Sequence, residues 1–300
     1  MIIAGPKMGA SRNFRLLFWR DQIEQELAKS VGEMGEKNKL RDACEYSLRA
    51  KGKRLRPLLV LLIGEALGHG LDVMDAALSV EFFHNASLIV DDLPAMDDAQ
   101  LRRGQPAVHR VFGESIALLA SYALITAAFE RLQRNCVKMR ESGAPFASRS
   151  DRVCVLALES TSVCAGILGA TSGQFFDMFP GQPTLDGLRE LIYKKTVTLF
   201  EVCFVLGWLY GGGEFEKLPM VKSAAYHLGF AFQVADDLKD CEMDQRLGRK
   251  GNIAHFLGRP RAAALFQEEL QLFQEKLQRL EIATPSFERL VESLLKAGAV

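Results

Sequence analysis

The sequence predicts an all-α protein, and three observations carry that prediction. Apolar residues recur at helical spacing over long stretches. No run alternates apolar and polar residues between hairpin turns. Glycines and prolines cluster between the periodic stretches. Three hundred residues, 48% of them hydrophobic, can bury a full core and argue against disorder. No linker is long enough to part the chain, so the expectation is one helical domain over residues 1–300.

Helices are expected over 14–30, 36–50, 55–68, 72–93, 114–137, 149–178, 184–210, 217–243, 259–282 and 286–298. Gly68-His69-Gly70 parts the third from the fourth, and Gly143-Ala144-Pro145 sits in a polar loop. Pro180 and Pro183 flank a turn whose Thr184 suits a helix N-cap. Gly211-Gly212-Gly213 ends the next helix, and Pro219 suits the first turn of the one after. The stretch from Asp72 to Asp92 is apolar on most of its surface and would be roughly 30 Å long. Such a helix belongs at the centre of a bundle.

Charge and cysteine content exclude several classes. The 37 basic and 37 acidic residues cancel, which gives no electrostatic case for nucleic acid or an anionic membrane surface. Six cysteines without a CxxC pair read as free thiols in a reducing compartment. The first residues lack a signal-type apolar core. The longest apolar run, Ile116 to Phe129, is interrupted by Ser121, Tyr122 and Thr126 and reads as too short to span a bilayer. The expectation is a cytoplasmic protein without integral membrane contact.

Two acidic clusters supply the chemistry. Asp91-Asp92-Leu93-Pro94-Ala95-Met96-Asp97-Asp98 and Asp236-Asp237-Leu238-Lys239-Asp240 each begin with adjacent aspartates at the end of an apolar stretch. Carboxylates are costly to hold together unless a cation sits between them. Magnesium bridging carboxylates to phosphate oxygens answers that need. Asp236 and Asp240 share a helix face, which Gln233 extends. Pro94 breaks the first helix, and the break redirects Asp97 towards Asp91.

Basic residues accompany both clusters. Arg102-Arg103 follows the first and Lys250 the second. Lys53 and Arg56, three apart at a helix start, can grip one anion together. Each basic group alone reads more simply as a solvated patch; beside two metal-type clusters the balance reverses. His84 lies on the face of Asp91 with Ser87 between, pointing towards the acids. Lys195-Thr196 interrupts an apolar helix, and a buried lysine needs an anionic partner. Gln174 and Asp177 are three apart on a helix lined by Phe175, Phe176 and Met178. Together these describe an apolar helical cavity with metal-binding rims, suited to a diphosphate head and a hydrocarbon tail.

Four motifs, GKRLRP (52–57), SLIVDDLPAMDDAQLRRGQPAVH (87–109), KKT (194–196) and FQVADDLKD (232–240), occur in the order and spacing of the trans-isoprenyl diphosphate synthases, short-chain farnesyl/geranylgeranyl type. The sequence resembles that family from about residue 45 to 258, and more loosely to the end. The resemblance implies an isoprenoid-synthase-type helical bundle around a central apolar cavity. It implies that Asp91, Asp97 and Asp236 bind magnesium, three ions per active site, with Asp92 supporting. Arg102, Lys195 and Lys250 would contact the allylic diphosphate. Lys53, Arg56, His84 and Arg103 would bind isopentenyl diphosphate. Gln233, Thr196 and the Lys195 carbonyl would face a developing cation. A homodimer is the family's usual form.

Three positions depart from the pattern. Lys51 stands where a glycine is usual. The loop after Asp240 is short, so Lys250 matches either of two lysines found there in relatives. Lys239 replaces an apolar residue and should point outward. Ala86 and Ser87 are small where farnesyl-type relatives often carry a bulky aromatic. Phe83, roughly 12 Å below Asp91, would then floor the tail pocket and favour a twenty-carbon product over fifteen. Two other readings compete. A class I terpene cyclase would carry an Asn/Ser/Glu metal motif at 236–240 and lack the Lys53/Arg56 group. A non-catalytic regulatory subunit would have lost an acidic cluster, and this chain keeps both.

Overall fold

The computed structural model describes residues 12–143, 145–246, 248 and 251–298. Helices dominate: α1 (Arg12–Glu33), α2 (Lys39–Leu48), α3 (Leu55–Ala66), α4 (Met74–Asp91), α5 (Val108–Phe112), α6 (Glu114–Glu141), α7 (Ser150–Ala165), α8 (Ala170–Met178), α9 (Leu185–Ile192), α10 (Thr198–Tyr210), α11 (Leu218–Arg246), α12 (Ile253–Leu257), α13 (Arg259–Arg279) and α14 (Pro285–Gly298). Strands β1 (Leu101–Arg102) and β2 (Gln105–Pro106) form a two-residue antiparallel ribbon. The chain folds as two compact units, Met1–Leu61 with Gly70–Cys154, and Leu62–His69 with Val155–Val300.

In the first unit α4 lies along α6, with α1, α2 and α5 packed on the pair. Met74 to Phe82 is buried without a gap, as its all-round apolar character requires. Phe82, Ala86 and Ile89 of α4 and Ala117, Ala120, Leu124, Ala128 and Leu132 of α6 are core residues of this unit. In the second unit α11 is central, with α10, α12, α13 and α14 against it. Phe200, Phe204, Trp208, Phe230, Phe266, Phe273 and Phe287 fill its core. Caps sit where their chemistry predicts. Thr184 accepts from the Gly187 amide at 3.1 Å. Asn38 accepts from Leu40 and Arg41, each at 3.0 Å.

Two expected helices are interrupted. The stretch 149–178 breaks at residues 166–169. A Cβ on Gly169 would lie 2.0 Å from the Cys164 carbonyl oxygen, so only glycine fits that turn. The Thr171 hydroxyl donates to the Ala165 carbonyl at 2.7 Å and braces it. The stretch 184–210 contains a π-helical turn at Tyr193–Val197, a local widening that helical periodicity alone does not reveal. Sequence spacing also gave no sign of the β1–β2 ribbon or of the short α5 and α12.

The membrane expectation needs correction as to length. Among the described residues, α6 and the stretch Ala147–Met178, broken at 166–169, each contain an 18-residue window (mean hydropathy 1.4 and 1.8) with the length and composition to cross a membrane. The uninterrupted apolar run was a poor measure, because α6 continues to Glu141. Its C-terminal half carries cations instead. Arg131 binds Asp75 at 2.9 Å and Glu33 at 2.6 Å, and Lys138 binds Asp75 at 2.7 Å.

Gly173 of α8 tests the π turn. A Cβ there would lie 2.4 Å from the Lys195 nitrogen, against backbone that cannot rotate away. Gly173→Ala is expected to destabilise the protein by about 1–3 kcal/mol, the usual cost of overpacking, read as a lower urea midpoint. An unchanged midpoint would show that the approach is not close in solution.

Candidate active site

The first acidic cluster closes on itself through the backbone. α4 ends at Asp91, and the Asp97 amide donates to the Asp91 carbonyl at 3.0 Å, as the Pro94 break predicts. Met96 and Asp98 both donate to the Leu93 carbonyl, at 2.8 and 3.1 Å. Asp98 adopts φ +45° to make the turn. Asp97 is exposed and Asp91 half-buried, so their carboxylates are reachable; Asp92 is buried.

The ribbon returns two arginines to this region. Its central residues Arg103 and Gly104 have φ of +54° and +80°, the positive pair that tight hairpins use. Arg102 then grips Asp92 through Nε at 2.9 and 3.1 Å and through Nη2. That bond, above all, raises the Arg102 pKa, helped by the charges of Asp92, Asp91 and Asp97. The cation expected on an allylic diphosphate is here shared with Asp92.

Arg103 reaches His84, with Nη2 3.3 Å from the imidazole Nε2. His84 therefore contacts an arginine that its helix face did not foretell. The ribbon lies across that face, which linear spacing cannot reveal. Burial pushes the His84 pKa well below its ordinary 6.5, and the charges of Arg56, Arg103, Arg102 and Arg54 push it further. Neutral His84 accepts from Arg103 at Nε2, which leaves Nδ1 to carry the proton. Buried His84 Nδ1 and Arg103 Nη1 have no hydrogen-bond partner. Gly52 packs beneath Arg103, where a Cβ would stand 2.9 Å from Nη1. The structure thus brings Gly52, Arg56, His84 and Arg103 together, with Lys53 exposed in the same loop. Orphaned donors beside several guanidinium groups form a site for an anion rich in oxygen acceptors.

The second unit builds another constellation. The Thr196 hydroxyl donates to Gln233 Oε1 at 2.7 Å, and Gln233 Nε2 donates to Asp237 Oδ1 at 2.7 Å. Asp237 also accepts from the Ile253 amide at 2.8 Å. Burial nonetheless lifts the Asp237 pKa to about 7. Asp236, one residue earlier, is half-buried. Lys195 is not the buried lysine expected. Its side chain is 37% exposed and ion-paired to Asp177, because the π turn swings it towards α8. Lys239 points outward as expected. Lys250 lies outside the described residues.

Phe83 meets Phe129 of α6 edge to face, with centroids 5.1 Å apart, while Ala86 is buried and Ser87 donates to the His84 carbonyl at 2.9 Å. Sequence reasoning missed Arg54, Glu81 and Gly52. Arg54 carried a signal, a third cation in the motif of Lys53 and Arg56; Glu81 carried none.

Carboxylate oxygens at Asp91, Asp97 and Asp236 are the hard donors that magnesium prefers. Among the described residues no three acidic, histidine or cysteine side chains close on one point.

Solved structures with a similar fold match nearly the whole chain. A geranyltransferase from Legionella pneumophila superposes with a TM-score of 0.82 at 25% identity, covering 96% of this chain and 98% of its own. An isoprenoid synthase family member from Thermotoga neapolitana gives 0.74 at 31% identity, covering 92% and 98%. Putative geranylgeranyl pyrophosphate synthase 8 of Arabidopsis thaliana is 35% identical over 89% of this chain and 74% of its own length. Geranylgeranyl pyrophosphate synthase 3 of the same plant is 37% identical over 80% and 66%. The chain thus spans two thirds to three quarters of these plant relatives. The polyprenyl synthetase family profile matches residues 37–253, and the chain belongs to that family.

His84 makes a pH prediction. A histidine held neutral in the fold, with its pKa below the unfolded 6.5, contributes stability that is present above pH 6.5 and lost as pH falls below it. Urea melts of the wild type and His84→Asn between pH 7.5 and 5 should differ in slope by no more than about 1.4 kcal/mol per pH unit, the wild type falling faster. Parallel slopes would mean that His84 titrates normally.

Proposed function

We propose that this chain condenses isopentenyl diphosphate head-to-tail with an allylic diphosphate, and that the two units act as one prenyl-synthase domain over residues 1–300. The chain is a prenyltransferase making short-chain prenyl diphosphates. The observation that carries the two-substrate reading is the cluster of Arg56, His84 and Arg103, in which the buried His84 Nδ1 and Arg103 Nη1 lack a hydrogen-bond partner. A terpene cyclase has no use for a second diphosphate site, and a subunit without activity has no use for both acidic clusters.

In this reading Lys53, Arg56, His84 and Arg103 bind isopentenyl diphosphate. Arg102, Lys195 and Lys250 contact the allylic diphosphate. Asp91, Asp97 and Asp236 would hold magnesium, three ions per site, with Asp92 fixing Arg102. When bound, the metal neutralises the departing diphosphate. The allylic C–O bond breaks, the isopentenyl double bond attacks the resulting cation, and a proton leaves to the released diphosphate. The Thr196 hydroxyl oxygen, the Gln233 amide oxygen and the Lys195 carbonyl present negative dipole ends to that cation. Asp177 holds Lys195 until a diphosphate competes for it. The free thiols of all six cysteines support a cytoplasmic setting. Exposed Leu118, Leu119 and Tyr122 on α6 support a homodimer.

In this reading Phe83, which meets Phe129 edge to face, would floor the tail pocket, and the small Ala86 and Ser87 would leave room for a twenty-carbon chain. Purified protein incubated with magnesium, labelled isopentenyl diphosphate and dimethylallyl, geranyl or farnesyl diphosphate should yield geranylgeranyl diphosphate, and none with EDTA. No product from any starter would overturn the reading. Phe83→Ala should lengthen the product by at least one five-carbon unit; unchanged chromatography of the extracted alcohols would remove Phe83 from that role.

A further inference from the structure

We propose that Arg54 is a positioning residue for the isopentenyl diphosphate site: it pins the loop carrying Lys53 and Arg56 to α1 and α4 and does not itself touch the substrate. This inference rests on the reading of that site given above.

Arg54 differs from the basic residues around it. Lys53 is exposed and Arg56 half-buried, whereas Arg54 is 3% exposed. Its guanidinium is engaged inward at all three nitrogens. Nε and Nη2 donate to Glu24 of α1 at 2.7 and 3.2 Å. Nη1 donates to Glu81 of α4 at 2.5 Å. Nη2 also donates to the carbonyls of Leu48 and Ala50, at 2.7 and 3.0 Å. Burial alone would lower its pKa; the bonds to Glu24 and the charge of Glu81 raise it above the ordinary arginine value. A guanidinium this engaged has little left to offer a phosphate.

The backbone shows what the pin holds. Arg54 adopts φ +49°, and its carbonyl accepts the Leu58 amide at 3.1 Å, starting α3. The loop leaves α2, crosses Gly52 beneath Arg103, and turns at Arg54 into the helix that bears Arg56. Glu81 lies one turn before His84 on α4 and also accepts from Asn85 at 3.0 Å. One buried side chain therefore links the loop of Lys53, the helix of Arg56 and the helix of His84.

Arg54→Lys keeps the charge but offers three donors in place of five. Glu24→Gln, at a half-exposed position, weakens only the outer half of the pin and decides the matter should Arg54→Lys fail to fold. Initial rates with each substrate varied, isopentenyl diphosphate binding by calorimetry, and thermal melts are the measurements. The expected result is a rise in KM and Kd for isopentenyl diphosphate of about tenfold in Arg54→Lys, the scale of one lost charged hydrogen bond. The rise should be smaller in Glu24→Gln, with the allylic KM within about twofold in both. A lowered Tm with both KM values unchanged, or equal rises in both, would overturn the proposal. A wild-type chain that binds isopentenyl diphosphate without turnover would instead sink the catalytic reading, and the binding comparison would still judge the pin.

Discussion

Several features of the candidate site answer one constraint. Like charges must be held close together before a diphosphate arrives to neutralise them. Unpaired cations in a low dielectric repel and resist burial. The fold meets this in part by giving three of the cations a carboxylate partner: Glu24 and Glu81 for Arg54, Asp92 for Arg102, Asp177 for Lys195. His84 meets it differently, by staying neutral. Among the buried atoms left without a partner are two donors of this cluster, His84 Nδ1 and Arg103 Nη1. They are where the arrangement asks for an anion.

Holding those charges takes backbone that ordinary helices do not supply. Arg54, Asp98 and Arg103 all have positive φ, a conformation that costs a side-chain-bearing residue roughly 1–2 kcal/mol. Each sits at a turn beside a candidate site residue. Their side chains or backbone amides are tied down at once: Arg54 by five bonds, the Asp98 amide to Leu93, Arg103 to His84. The π turn at Tyr193–Val197 serves the same end in the second unit. It carries Lys195 and Thr196 out of helical register, towards Asp177 and Gln233. Glycine permits close approaches beside these residues, Gly52 beneath Arg103 and Gly173 against the π turn.

A division of labour follows within the acidic motif. Asp91 and Asp97, reachable and backbone-linked, are suited to a cation and its phosphate ligands. Asp92, buried under Arg102, is suited to orientation. Adjacent aspartates thus take opposite tasks, because residues one apart on a helix face different surroundings. The second motif repeats the pattern. Asp236 is half-buried, whereas Asp237 caps α12 and anchors Gln233.

The sequence by itself determined the helical class, most helix limits, the Pro94 break and the Thr184 cap. These depend on local periodicity and backbone chemistry, which a linear string carries in full. It also marked the acidic and basic motifs, since clustered charge is legible wherever it stands. Only tertiary structure decided the partners. That His84 faces Arg103, that Arg54 closes on Glu24 and Glu81, and that Lys195 leaves the interior for Asp177 all depend on turns which bring distant residues together. Ion pairing and burial are properties of proximity in space, and helical spacing specifies proximity only to the next turn.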